Sequence, residues 1–464
     1  MIKKGDKGQM LITKDKNFYK TMLRIAIPIG IQNLITFAVS MVDTIMLGSL
    51  GEIQLSASSI GNNLFFIFTV LMFGLGGGAS VMASQYYGKK DTKSIHKIIS
   101  IMYRVCIAIT VILVLIAVFV PKQFISIFTQ DKAVIEVGIK YLRTVSIGYI
   151  FYALTNCTIT VLRSVKTVKI SMIVYSISLV VNIFFNWVFI FGNLGFSPLG
   201  VQGAAIATVI ARVVEFIIVL IFMLFFEKKI HLKISHILHI DKIMFKDFIK
   251  NCTPVLFNEL FWSLGSSMIS VVVGRMGTDV VAANSINSVA NQFVTIFIFG
   301  IGSASSVIIG NTIGEGDYEK TKEYSITITI LSLVMGVIAG VIVFIIRPYI
   351  VDFYNVAEST KQIAISIMSS TAIIVIFQSM SVNTMMGILR GGGDNKFVLI
   401  NDIIYMWLFS IPFGFISAFV WKLPIIVVFL IIKSDEILKT IVSIIRIYSG
   451  KWINDVTREF DGEF

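Results

Sequence analysis

Charge is what this sequence has least of. Asp, Glu, Lys and Arg make up 14% of its 464 residues while 56% are hydrophobic, whereas soluble domains carry about a quarter charged residues. A soluble enzyme is excluded on that ground. There are three cysteines, Cys106, Cys157 and Cys252, all in or beside apolar stretches, so no disulfide framework is implied. Of four histidines, His231, His236 and His239 share one basic connection. Solvated loop histidines are the better reading there than metal ligands. No HExxH, paired CxxC or nucleophile elbow is present, so no catalytic constellation and no cofactor are expected. The glycine runs GLGGG at 74–78 and GGG at 391–393 look like phosphate loops in isolation. The first lies inside an apolar segment and the second follows one, and neither has a preceding strand or a Walker lysine.

What is there is long apolar runs. A membrane span needs about 20 mostly apolar residues, and the sequence predicts an all-α polytopic membrane protein of twelve transmembrane helices. They lie near 22–47, 58–83, 98–120, 134–161, 170–192, 201–226, 249–273, 285–309, 325–347, 363–387, 397–419 and 423–446. The last is interrupted by Lys433, Asp435 and Glu436, and a short span running into a surface helix is the alternative there. The net charge of +12 is spread over connections and tails rather than gathered in one patch, which argues against a nucleic-acid partner. Lys and Arg crowd the N-terminal tail and the even-numbered connections. Positive-inside bias therefore predicts a multi-pass protein of the cytoplasmic (inner) membrane with both termini cytoplasmic. The first twenty residues lack the apolar core of a signal peptide and read as a loose tail.

Residues 28–91 occur twice. Adding 226 lays Pro28 on Pro254, Gly48 on Gly274, Gly51 on Gly277, Gly74 on Gly300, Gly88 on Gly314 and Asp91 on Asp317, without a gap. A shift of 227 lays Leu162 and Arg163 on Leu389 and Arg390. The chain is thus a duplicated half. Residues 1–20 are a tail, 21–226 an N-lobe of six spans, 227–248 a cytoplasmic linker, 249–447 a C-lobe of six spans and 448–464 a second tail. Six is even, so the copies enter the bilayer from the same side. Such parallel repeats form two six-helix bundles related by a pseudo-two-fold axis along the membrane normal, with alternating access between them. With no nucleotide site, uphill work must draw on an ion gradient, at about 2.3 kcal/mol per charge per 100 mV.

Acids inside spans are costly and mark function more often than not. By helical rise, Asp43 lies about 27 Å from the inner face, and Asn182 and Asn186 about 18 and 24 Å from it. Thr208 lies about 10 Å from the outer face. Four oxygen-bearing side chains from three spans thus share a level. Two readings stand with equal weight: a cation-coupling site, with Na⁺ or H⁺ at Asp43, or a carboxylate that pins two asparagines. Glu259, beside Asn258, is about 15 Å deep on the seventh span and reads as a second protonatable or substrate-facing group in the C-lobe, over a structural hydrogen bond. Glu215 and Arg212, three apart, predict a structural ion pair. Asp402, about 7 Å from the inner face, is within reach of cytoplasmic water or Lys396. Gln32, Asn33, Asn63, Gln292 and Asp402 complete the polar positions expected to face a cavity. The opening GAAIAT at 203–208 predicts close helix contact, and 192–200 predicts a tight external turn.

The motifs PIGIQNL, VDTIMLGSLG, GLGGGASV and QYYGKKD of the first repeat, LRGGGDNK at 389–396, and NIFFNWVFIFG followed by GVQGAAIAT together resemble the multidrug and toxic compound extrusion (MATE) family. The resemblance implies a monomer in the lipid bilayer that exports bulky organic cations in exchange for H⁺ or Na⁺. By position, Asp43 resembles the family's first-helix acid and Asn182, Asn186 and Thr208 its partners, a candidate Na⁺ site. One branch has an aspartate where this chain has Asn186, which leaves the coupling ion open. Glu259 is similar to a seventh-span glutamate of another branch, whose C-lobe site adds a tenth-span aspartate. Here no acid occurs between 361 and 390, so the coupling is assigned to the N-lobe first. The same superfamily contains flippases for lipid-linked saccharides, the alternative function. A mostly acidic set of buried charges favours cationic cargo.

Overall fold

In the absence of water, every backbone N–H and C=O must find a partner within its own segment, so apolar spans fold as helices. The computed structural model describes residues 12–232 and 241–459, and these form helices without a strand. In chain order they are α1 (Lys16–Gly48), α2 (Glu52–Gly88), α3 (Thr92–Phe119), α4 (Pro121–Ser126), α5 (Lys132–Val145), α6 (Gly148–Ser164), α7 (Lys169–Phe191) and α8 (Val201–Phe226). The second half holds α9 (Lys242–Gly274), α10 (Thr278–Gly314), α11 (Tyr318–Asp352), α12 (Glu358–Leu389), α13 (Asn395–Val420), α14 (Ile425–Ile432) and α15 (Ser434–Tyr448). Among the described residues ten helices are individually long and apolar enough to cross a membrane, and the pair α5 and α6, bent by 47°, makes an eleventh. The twelfth expected segment is divided at Lys433 into α14 and α15.

The duplication is repeated in the backbone. α1 and α9 each run 33 residues, α2 and α10 each run 37. Gly51 and Gly277, 226 apart, both precede a helix at positive φ, 110° and 124°, a conformation that costs glycine nothing. Asp91 and Asp317, also 226 apart, both cap the following helix, accepting from the N–H of Ser94 and of Lys320 at 3.0 Å. Equal sequence at equal spacing produces equal turns.

The chain forms two compact units, one of residues 27–260 and one of residues 1–26 with 261–464. Each changeover falls inside a long helix, α1 or α9, and each of these carries an internal proline, Pro28 or Pro254. In the first unit α2 and α9 touch backbone to backbone. A Cβ on Gly74 would lie 2.7 Å from Leu256 Cα, and one on Gly78 would lie 2.5 Å from Cys252 Cα. The GLGGG run is therefore a helix crossing. The linker is anchored by Lys97, whose Nζ lies 2.7 Å from Asp241 Oδ2. Burial would raise the Asp241 carboxyl, but the bond from Lys97 and the N–H groups of Met244 and Ile243 hold it below the usual aspartate range. His231 is exposed and its backbone N–H donates to Glu227. His236 and His239 lie outside the described residues.

In the other unit both terminal segments are held by specific contacts. From Thr13 onward the N-terminal tail is not loose: its N–H donates to Thr327 Oγ1 at 2.9 Å, and Asp15 accepts from the Tyr324 hydroxyl at 2.7 Å. The tail after 448 is likewise held, because Trp452 is fully buried against Gly392, where any Cβ would collide with its ring. The GGG run at 391–393 thus makes room for an indole. Asp402 is paired from α15. Lys439 Nζ lies 2.6 Å from Asp402 Oδ1 on α13 and 2.8 Å from Asp435 Oδ2 on its own helix, and Glu436 accepts from the Ser381 hydroxyl of α12.

Candidate functional site

The site is built on the hairpin of α7 and α8. Gly192 ends α7 in the left-handed conformation, φ 74°, and the turn closes with Leu199 N–H donating to Phe189 O at 2.9 Å. Gly203 then lets α8 lie directly on α7: a Cβ there would be 2.5 Å from the Phe189 carbonyl. The run of small residues makes the close contact the sequence predicts.

This hairpin carries two polar stripes at one-turn spacing, Ser178, Asn182 and Asn186 on α7 and Thr208, Arg212 and Glu215 on α8. Residues three and four apart share a helix face. α1 adds Asp43, five residues before its end. Asp43, Asn182, Thr208, Arg212 and Glu215 line one cavity of about 220 Å³ within the first unit, together with aromatic walls from Phe65, Tyr141, Tyr149 and Tyr175. Asn186 Nδ2 donates to Asp43 Oδ1 at 2.5 Å and to Asn182 Oδ1 at 3.1 Å. Both its donors are thereby used, and its Oδ1 is buried with no hydrogen-bond partner. A buried acceptor without a donor is costly, and the cavity wall presents the Asp43 carboxylate, the Asn182 amide and the Thr208 hydroxyl, oxygen donors of the type a hard cation takes. The residues present fit Na⁺, and the carboxylate fits a proton equally well.

At the other end of the stripe, Arg212 Nη1 meets Glu215 Oε1 and Oε2 at 2.7 and 2.9 Å, and the Ser178 hydroxyl donates to Glu215. The guanidinium lies 5.1 Å from the Tyr152 ring centroid. The expected ion pair therefore forms, in the wall of the same cavity as Asp43.

The remaining expected positions are dispersed. Asn258 is buried, and Glu259 packs with its Cγ 3.4 Å from a Cβ built on Gly74. Both lie on the stretch of α9 that packs against α2, where Gly74 and Gly78 let the two helices touch. Gln32 accepts from Arg163 Nη2 at 2.7 Å. Asn33 and Asn63 are half-buried and do not line this cavity, and Gln292 is exposed. Its lining includes Asn62 in place of Asn63, with Tyr141 OH donating to Asn62 Oδ1 at 2.9 Å. Nothing in adjacent asparagines says which one faces inward. The Arg212 stripe was readable from its spacing to Thr208.

Comparison with known proteins converges on this architecture. The chain is similar to "Probable multidrug resistance protein NorM" of Thermotoga maritima, 24% identical over 436 residues and 93% of each chain. It is similar at 24% identity over 409 residues, 86% of this chain and 87% of the relative, to the protein of the same description in Halalkalibacterium halodurans. Among solved structures it matches one described as the outward-facing conformation of a multidrug resistance MATE family transporter of the MOP superfamily, with a TM-score of 0.84 at 19% identity. That match covers 97% of this chain and 100% of the other. It also matches a MOP superfamily transporter from Pyrococcus furiosus, whose structure is described as having a binding pocket of reverse polarity suggesting a different function. There the TM-score is 0.83 at 19% identity, over 97% of this chain and 100% of that one. The MatE family model matches residues 28–188 and again 254–416, two copies offset by the 226 residues of the internal repeat, and the chain belongs to the MatE family.

Proposed function

We propose that the protein is a secondary active multidrug efflux transporter of the cytoplasmic membrane, with both termini cytoplasmic, exporting bulky organic cations in exchange for H⁺ or Na⁺. The observation that carries the proposal is Asp43: a carboxylate on the wall of a polar cavity whose hydrogen-bond donor is a neutral amide, beside an amide oxygen without a donor. The multidrug resistance names of the relatives support drug-like cargo, and the excess of acids on the cavity wall supports cationic cargo. In exchange, Asp43 takes up the coupling cation, and loss of that cation frees its charge for the next cycle as access alternates between the two lobes. The lining charges, Asp43 and Glu215 against Arg212, weigh against the cationic cavity expected of a saccharide-lipid flippase.

The test is efflux of a cationic dye such as ethidium from vesicles of reconstituted protein under an imposed pH or Na⁺ gradient. Asp43→Asn is expected to insert normally, because a neutral side chain eases burial, and to lose gradient-driven efflux. Full activity in this variant would move the coupling site away from Asp43, with Glu259 next in line. Which gradient drives the wild type decides the ion.

A further inference from the structure

Arg212 places a permanent positive charge in the cavity that holds Asp43. A free guanidinium there would be the strongest competitor any coupling cation faces, since it cannot be deprotonated and brings five donors. Its hydrogen bonds are all made by Nη1, to both oxygens of Glu215, and its Nε is buried without a partner. Glu215 in turn is fully buried and is held from α7 by the Ser178 hydroxyl. Asp43 is held from the same helix, two turns further on, by Asn186. The two carboxylates are thus fixed at opposite ends of one polar stripe, with the guanidinium bound to one and absent from the other.

We infer that the Arg212–Glu215 pair is an internal charge clamp: Glu215 keeps Arg212 off Asp43, so that the cation site stays open to the coupling ion. The inference rests on Asp43 being the coupling residue. The titratable groups on the cavity wall are Asp43, Glu215, Arg212, Tyr141, Tyr149 and Tyr175. With the tyrosines neutral, the two acids and one base leave one net negative charge. Removing Glu215's charge brings the sum to zero and sets Arg212 loose, and both effects weaken cation binding. Removing Arg212's charge makes the wall more negative and strengthens it. Removing both restores the sum.

The experiment measures, in reconstituted vesicles, the concentration of coupling cation that gives half-maximal ethidium efflux. Glu215→Gln is expected to raise it by about tenfold or more, the effect of one unit charge across a cavity of this size at an effective dielectric of about 20. Arg212→Gln is expected to lower it, and the double variant to return to within about threefold of the wild type. A purely structural pair predicts that both single variants are impaired and the double no better, and that pattern overturns the inference. So does an unchanged Glu215→Gln. If Glu215→Gln does not reach the membrane, Arg212→Gln decides alone, and unchanged or weaker cation affinity refutes the clamp. Asp43→Asn in the same vesicles separates the two ideas. Retained coupling there removes the Asp43 reading. Lost coupling there with an unaffected Glu215→Gln removes only the clamp.

Discussion

Gly78→Ala is the smallest change that should disturb this fold measurably. The added methyl would sit 2.5 Å from Cys252 Cα and 2.8 Å from its Sγ. Carbon atoms rest at about 3.5–4.0 Å from one another, so α2 and α9 must separate by about 1 Å. A side-chain neighbour would rotate away, but a Cα takes its helix with it. Overpacking of this kind costs about 1–3 kcal/mol. Gly274→Ala, at the last residue of the same α9, meets nothing within 4 Å and should stay within about 0.5 kcal/mol of the wild type. Both variants are purified in detergent, and the temperature at which the monodisperse peak is lost is compared. Gly78→Ala should fall clearly below Gly274→Ala. Equal midpoints would refute the argument that the GLGGG run serves helix contact, and would reopen the question of what those glycines do.

Lys439→Met should destabilise the second unit by about 3–5 kcal/mol, because Lys439 is buried and Asp402 and Asp435 both lose their counter-charge; adding Asp402→Asn should recover part of the loss, read by the same thermal assay. Trp452→Ala should cost about 3–5 kcal/mol, since the ring is fully buried and its Nε1 donates to Ile447 O at 3.0 Å. Limited proteolysis of the membrane-inserted protein should then cut near residue 452, where the wild type resists.

The sequence by itself determined what depends on position along a helix. Apolar length predicted the spans. A 226-residue offset predicted two halves, and the paired glycines at positive φ and the paired aspartate caps carry that offset into the backbone. A rise of about 1.5 Å per residue was enough to expect Asp43, Asn182, Asn186 and Thr208 at one depth; Asn186 bonds Asp43 and Asn182, and Thr208 lines the same cavity as those two. Tertiary structure decided what depends on rotation and on lateral neighbours. It chose Asn62 over Asn63 for the cavity wall, Lys439 as an ion-pair partner of Asp402, and α2 as a neighbour of Glu259. It also set Arg212 and Glu215 facing Asp43 across one cavity. Depth is a one-dimensional quantity that residue number supplies, whereas the face a helix turns toward its neighbour is set by which helices can approach closely. That is decided by residues of both partners at once, a glycine on one helix and the backbone it meets on the other, which no single stretch of sequence contains.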